Sequence, residues 1–316
     1  MKVGIVYSQT CMEQLEEKIY ADTPEMKGKT LQSIYRALKD MCEPVLMNED
    51  RFTLPTLRKM DAVFNLSTGL NGESKQAHIP AILERLGIPY TGSGVLTHAV
   101  GLNKPKSKEV FMANKVPTPP FEILDTIQVT RNDLDGIDFP MVVKPTDGGS
   151  SRGVRKVNSY SQLKKAVKET IPKHSTVMIE PFVEGRELTV GIMGNESLDV
   201  LPILETDFKD LDTAVYDFEV KARIGYTTEH TFRAQLTPHE RKIVVRAAMK
   251  AYRALHCRDY ARVDIRLQDN VPYVLEINTL PGLYIGYSAF PTMARLQGLT
   301  FETLIKRIYL HAMERS

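Results

Sequence analysis

The chain is poor in cysteine. Cys11, Cys42 and Cys257 are its only three, odd in number and far apart along 316 residues. That argues against a disulfide-stapled scaffold and against a close-spaced cysteine metal site, and it fits a reducing, cytoplasmic setting. Charge of one sign is also lacking: 41 basic residues against 39 acidic leave a net +2. Such a balance gives no support to nucleic acid or an anionic membrane as the main partner. No apolar run is long enough to span a bilayer, and the opening Met1-Lys-Val-Gly-Ile-Val-Tyr7 is a strand pattern without the apolar run of a signal peptide. There is no internal repeat, no low-complexity tract and no Walker A loop. What remains is an ordinary globular composition, 42% hydrophobic and 25% charged, with length for two or three domains.

Hydropathy patterning divides the chain. The first third alternates strands and helices: a strand over Lys2–Tyr7, a helix over 30–41 with Leu31, Ile34, Leu38 and Met41 on one side, short apolar runs at 45–47 and 62–66, and a helix marked by Ile79, Ile82, Leu83 and Leu86 that Gly87 stops. This rhythm argues for a parallel sheet covered by helices. Beyond Gly94 the pattern predicts a helix over 104–114, a rigid Val116-Pro-Thr-Pro-Pro120 connector, a strand over 140–144, a helix over 160–170 and strands over 176–181 and 187–193. Residues 207–231 are polar and irregular, so a long loop is expected there. Helices over 238–256 and Phe301–Met313 follow, the last with Thr300 as N-cap.

Three stretches carry candidate chemistry. In Arg262-Val-Asp264-Ile-Arg266-Leu-Gln-Asp-Asn-Val-Pro-Tyr-Val-Leu-Glu276-Ile-Asn278, two strands flank a turn at Asp269-Asn270. Pairing centred on Asn270 sets Asp264 opposite Glu276 and Arg262 opposite Asn278 on one face, with Val263, Ile265, Leu275 and Ile277 turned to a core. Two carboxylates and an amide oxygen suit Mg²⁺; by itself the hairpin fits a surface salt bridge as well. In Lys144-Pro-Thr-Asp-Gly-Gly-Ser150-Ser151-Arg-Gly153, small residues let backbone N–H groups approach phosphate, and Lys144 adds charge; alone, this is a weak glycine-rich turn. In Glu180-Pro-Phe182-Val183-Glu-Gly-Arg-Glu187, the strand end can meet a purine edge and Glu187 a ribose, although by itself the segment favours a hairpin with solvated acids. Lys104 and Lys221 are single lysines that gain meaning only beside these motifs.

Taken in order, the motifs resemble the ATP-grasp superfamily, and within it the D-alanine–D-alanine ligases. The resemblance runs from Gly87-Ile-Pro-Tyr-Thr-Gly-Ser-Gly94 and Lys104 through Val143-Lys-Pro145, Glu180, Glu187 and Tyr216-Asp-Phe-Glu-Val-Lys221 to Glu276-Ile-Asn-Thr-Leu-Pro-Gly282. It implies an α/β fold, α+β in its C-terminal part, in three units. These are an N-terminal parallel-sheet domain over 1–95, a central ATP-grasp subdomain over 96–183 and a C-terminal one over 184–316, with ATP between the last two. It also implies transfer of the ATP γ-phosphate to a carboxylate, giving an acylphosphate that an amine attacks. Asp264, Glu276 and Asn278 would then hold two Mg²⁺ ions, with Mn²⁺ as the alternative metal. Lys104, Lys144, Ser151 and Lys221 would meet the ATP phosphates. Glu180, the backbone of Phe182 or Val183, Glu187 and Leu275 would seat adenine and ribose. Arg262 and the N–H of Gly282 would face the tetrahedral intermediate, with Ser150 in the catalytic set. Ser288 would take the carboxylate of the attacking amino acid, and loop 207–231 would close over the site. Small amino-acid substrates are the implied partners. Relatives of this kind are often homodimers, but no interface emerges from the residues.

The departures fall on the substrate side. Thr68 stands where the family's His-Gly-x-x-Gly-Glu has histidine, in Thr68-Gly-Leu-Asn-Gly-Glu73; Thr68 and Glu73 are the substrate candidates of this segment. No Gly-Gly turn follows the first strand, and Glu13, Glu16 and Glu17 all compete for the role of the glutamate expected there. Lys221 is followed by Ala222 instead of tyrosine, and one extra residue precedes Ser288. The expectation is an ATP-dependent carboxylate–amine ligase whose substrates need not both be D-alanine. A strict D-alanine–D-alanine ligase, a non-catalytic ATP-binding protein and a hydroxyl kinase are the other readings.

Overall fold

A computed structural model describes residues 1–8, 24–146, 153–208 and 230–315. Helices and sheets are mixed, in three sheets. The first is parallel, in the order β2-β1-β3, from β1 (Lys2–Tyr7), β2 (Glu43–Asn48) and β3 (Ala62–Asn65). Between and after these strands lie α1 (Pro24–Lys39), the short α2 (Leu54–Leu57) and α3 (His78–Leu86). The first predicted helix thus lies earlier than 30–41. Gly87, at φ +66°, ends α3 in the left-handed conformation that glycine adopts without strain.

Two helices follow, α4 (Val95–Leu102), which the patterning did not mark, and α5 (Lys104–Ala113), expected over 104–114. They lead to a four-stranded antiparallel sheet in the order β4-β7-β5-β6. Its strands are β4 (Glu122–Leu124), β5 (Met141–Pro145), β6 (Arg155–Val157) and β7 (Val177–Pro181). Helix α6 (Tyr160–His174) covers it, burying Leu163, Ala166 and Val167 against Val143 and Ile179. The third sheet is antiparallel and six-stranded. It comprises β8 (Arg186–Gly194), β9 (Leu198–Val200), β10 (Leu204–Thr206), β11 (Thr231–Arg233), β12 (Tyr260–Gln268) and β13 (Val271–Asn278). Helix α7 (Pro238–Ala254) packs under it, started by a capping box in which Thr237 and Glu240 satisfy each other's backbone N–H. Helices α8 (Ala289–Leu296) and α9 (Phe301–Met313) close the chain, and Thr300 caps α9 through the Thr303 N–H. No helix among the described residues is long and apolar enough to cross a membrane.

One core joins the two ends of the chain: Val3, Ile5 and Phe64 of the parallel sheet pack with Tyr260, Phe290, Leu304 and Ile308. A buried carboxylate reinforces the junction. Asp259 is fully buried and accepts from Gly92 N at 2.7 Å and from Arg315 Nε and Nη2 at 2.8 and 2.7 Å, while Asn195 bridges it to the carbonyl of His311. Asp259→Ala would leave the Arg315 guanidinium without its carboxylate, with only the Tyr90 and Gly92 carbonyls as acceptors. It is expected to cost about 3–5 kcal/mol in denaturant unfolding.

His98 on α4 is also fully buried, with Nδ1 2.8 Å from Thr279 Oγ1 just past β13 and no partner at Nε2. Burial, then the nearby Arg258, pushes its pKa from 6.5 to about 4. The folded state therefore binds fewer protons than the unfolded one between these values. The stability linked to the neutral ring is fully present above pH 6.5 and lost as pH falls towards 4. Urea titrations should show a decline of about 3 kcal/mol across that window, flattened in His98→Gln.

Candidate active site

The β12–β13 hairpin turns at Asp269 and Asn270, both at positive φ, +49° and +62°, as a two-residue hairpin turn requires. From the turn the pairs run Gln268–Val271, Leu267–Pro272, Arg266–Tyr273 and Ile265–Val274. The register then shifts, and Asp264 pairs with Glu276, Val263 with Ile277 and Arg262 with Asn278. Leu275 is the residue left over, a β-bulge. The bulge decides the chemistry. In unbroken register Glu276 would oppose Val263, whose side chain is buried in the core, and the two acids would face opposite sides. Leu275 itself is half-buried and belongs to neither core side chain set, so the expected inward alternation of Leu275 fails; Val274 fills that place.

Asp264 is the hub. Arg262 grips it with two bonds, Nε to Oδ1 at 3.0 Å and Nη2 to Oδ2 at 2.8 Å. Thr189 of β8 donates to Oδ1 at 3.2 Å, and Asn278 Nδ2 donates to Oδ2 at 3.0 Å and reaches Glu276 Oε1 at 3.5 Å. Arg262 is thus a direct partner of the acid, and not only a group reserved for a reaction intermediate. Two residues further along the same strand face, Arg266 bonds Glu187 Oε2 through Nε at 3.0 Å and Nη2 at 2.6 Å, because Arg266 and Glu187 are paired across β12 and β8. Its Nη1 meets the Val183 carbonyl at 3.2 Å, and its guanidinium lies 4.8 Å from the centre of the Phe182 ring. Lys156 stands over the same ring at 3.8 Å. Burial, together with Asp264 and Glu276, holds the Glu187 carboxyl above its ordinary range despite Arg266.

On the four-stranded sheet, Glu180 is shared. Lys108 Nζ lies 2.6 Å from Oε2 and Lys144 Nζ 2.6 Å from Oε1. Burial alone would raise the Glu180 carboxyl; the two ammonium groups outweigh it and hold it below the ordinary carboxylate range. Lys104 is buried at the start of α5, where its N–H bonds the Thr146 carbonyl at 3.0 Å and ties that helix to the strand end after Lys144. Beyond β13, Gly282 backs onto Ser288. A Cβ on Gly282 would lie 2.9 Å from Ser288 Oγ, which is buried at the N-cap of α8 and accepts from Tyr284 N at 3.1 Å.

The sequence-derived candidates therefore fall into groups. Arg262, Asp264, Glu276 and Asn278 meet directly. Glu187, Phe182 and Val183 meet through Arg266, and Glu180 and Lys144 form an ion pair. Thr68 is half-buried at the end of β3, its N–H bonded to Ser8 Oγ at 3.1 Å, whereas Glu73 is exposed and makes no hydrogen bond among the described residues. Ser150, Ser151, Lys221, Ala222, Glu13, Glu16, Glu17 and most of the 207–231 loop lie outside the described residues. Lys108, Arg266 and Thr189 were not foreseen. The signals were there: Lys108 is one helical turn from Lys104 on a face completed by Phe111, and Arg266 continues the alternation of Arg262 and Asp264.

The donor set fits a hard cation. Asp264 and Glu276 bring two carboxylates side by side on this face, and a half-turn of the Asn278 amide offers oxygen in place of nitrogen. Groups of three or more acid, histidine or cysteine ligands are absent among the described residues; two carboxylates with one amide are the set present.

A lysine pair on one buried glutamate, an acid–guanidinium hairpin and two antiparallel sheets fit an ATP-grasp ligase, an enzyme that uses ATP to form a C–N bond. Residues 110–309 match the family model described as the D-ala D-ala ligase C-terminus. The chain is 33% identical over 325 residues to a D-alanine–D-alanine ligase of Carboxydothermus hydrogenoformans, covering 99% of both chains. It is 34% identical over 298 residues to the uncharacterised protein y4sG of Sinorhizobium fredii, covering 90% of this chain and 88% of that one. The crystal structure of a D-alanine–D-alanine ligase from Bacillus anthracis complexed with ATP is similar at a TM-score of 0.80 and 25% identity, over 99% of this chain and 98% of that one. The chain belongs to the D-alanine–D-alanine ligase family.

Gly282→Ala is expected to push Ser288 Oγ off the Tyr284 N–H and lower kcat/KM for ADP release by about 10–100-fold, with little change in melting temperature. Adding Ser288→Ala should relieve the clash without restoring activity.

Proposed function

We propose that this ligase joins two small amino acids through an acylphosphate, at the β12–β13 face, and that its first substrate is not restricted to D-alanine. The observation that carries the site is the hairpin bulge, which sets Asp264 and Glu276 side by side with Arg262 and Asn278. The observation that carries the substrate reading is Thr68, which has no imidazole to offer at the end of β3. The names of the curated relatives favour D-alanine for both substrates, and that is the reading to beat.

Each group has a role that follows from its charge. Mg²⁺ would be held by Asp264, Glu276 and Asn278, and when bound it would neutralise and align the ATP phosphates. Lys144 and Lys104, with Ser151 and Lys221 as further candidates, meet phosphate oxygens and draw negative charge from the γ-phosphoryl group as it passes to the substrate carboxylate. The nucleoside is seated by Glu180, by the Phe182–Val183 backbone and by Glu187, which Arg266 orients; Leu275 borders it from the bulge. The amine of the second substrate then attacks the acylphosphate carbonyl. Arg262 and the Gly282 N–H stabilise the oxyanion, with Ser150 as a further candidate, and phosphate leaves. Ser288 takes the second substrate's carboxylate at the start of α8. Thr68 and Glu73 line the approach of the first substrate. The three sheets fall within 1–95, 96–183 and 184–316, which supports those bounds as units with the nucleotide between the last two. Dependence on ATP fits a cytoplasmic location.

The test is ADP release across a panel of D- and L-amino acids, singly and in pairs, with Mg²⁺ present. Turnover with pairs that include a residue other than D-alanine is expected, and Asp264→Asn and Glu276→Gln should each lose on the order of 100-fold or more. Turnover with D-alanine alone would overturn the substrate reading, and full activity in both variants would overturn the site.

A further inference from the structure

Glu180 has more positive charge around it than it needs. Lys108 and Lys144 each place Nζ 2.6 Å from one of its oxygens, and their side chains are 0% and 7% exposed against 4% for Glu180. One ammonium neutralises one carboxylate; the second brings a net positive charge into a buried place, which is costly unless an anion answers it. The two lysines are not equivalent. Lys108 is sealed in by α5 and by the Phe121 ring, 5.7 Å from its Nζ, so it has nowhere else to go. Lys144 sits on β5 two residues before Thr146, at the edge where α5 docks, and keeps a small exposed edge.

We infer that Lys108 is a positioning residue for the nucleotide: it is the fixed counter-ion of Glu180, and by holding that charge it frees Lys144 to exchange Glu180 Oε1 for a phosphate oxygen. This rests on the reading of Lys144 as a phosphate ligand. Without Lys108, Lys144 becomes the sole counter-ion of a buried carboxylate. Leaving for the phosphate would then strand that carboxylate, so nucleotide binding must bear the cost. No covalent step is involved; two lysines share one acid, and only one of them can move.

The test is a double-mutant cycle on the full chain, with Lys108→Met, Glu180→Gln and the pair together. KM for ATP and kcat come from ADP release, and the Kd for ADP with Mg²⁺ from calorimetry. Lys108→Met is expected to raise KM for ATP and Kd for ADP by at least about tenfold, with kcat at saturating ATP nearly unchanged. Adding Glu180→Gln should recover most of that loss, because a neutral amide does not hold Lys144 yet still offers a carbonyl oxygen. A role in folding alone would not give this rescue. Unchanged ATP parameters in Lys108→Met, or a double variant weaker than Lys108→Met, would overturn the inference. If Lys108→Met does not fold, the comparison moves to the Glu180→Gln background. There, loss of Lys108 should leave nucleotide affinity unchanged, and a large loss would overturn it. A wild-type chain that binds ADP but gives no turnover with any amino acid would count against the ligation reading and leave the calorimetric cycle to decide this one.

Discussion

The site depends on one extra residue in a strand. A hairpin with a two-residue turn pairs its strands in a register that would put Asp264 and Glu276 on opposite faces. Leu275, bulged out of β13, slips the register by one and turns Glu276 towards Asp264. The period of a strand is two, so a slip of one residue moves a whole set of side chains across the sheet. The core pays no penalty for it: Val274 and Ile277 are both buried, with the bulge between them absorbing the change of phase. Glu276 and Asn278 reach Asp264 through that shift, whereas Arg262 meets it within β12 and Thr189 from the unshifted pairing with β8.

Around this face, charge is managed by pairing groups from different segments. Arg266 and Glu187 come from paired strands, and Lys108, Lys144 and Glu180 from a helix and two strands of the four-stranded sheet. Buried ion pairs of this kind are weak arguments for stability, since desolvation offsets most of the attraction. They are stronger arguments for placement. Arg266 holds Glu187 while its guanidinium lies along Phe182, so one side chain sets both an acid and an aromatic wall.

The two ends of the chain meet behind the site. The core shared by the parallel sheet and the last two helices, with Asp259 buried among Gly92, Asn195 and Arg315, fixes the N-terminal sheet against the six-stranded one. Leu66, just past β3, packs in that core together with Leu280 and Leu283, which flank Gly282. The Thr68 segment is thereby carried towards the loop that follows β13.

Local pattern made much of this legible. The period of two along the hairpin put Arg262 and Asp264 on a common face, and the period of 3.6 marked most of the helices, because burial imposes those spacings on any chain. The family resemblance carried the fold and the ligase class, for the ordered motifs are spread over most of the chain. What pattern did not carry was anything set by contact between distant segments. The pairing of Asp264 with Glu276 was inferred from a turn centre that the two-residue turn does not have; the bulge makes the pairing true, and no residue type announces a bulge at Leu275. Lys108 takes its place from β7, which brings Glu180 within 2.6 Å of it. Residue spacing along the chain thus determined which side chains share an element and a face. Only tertiary packing decided which charges meet, because an ion pair depends on distance in space and on exclusion of water, and neither is written in the local sequence.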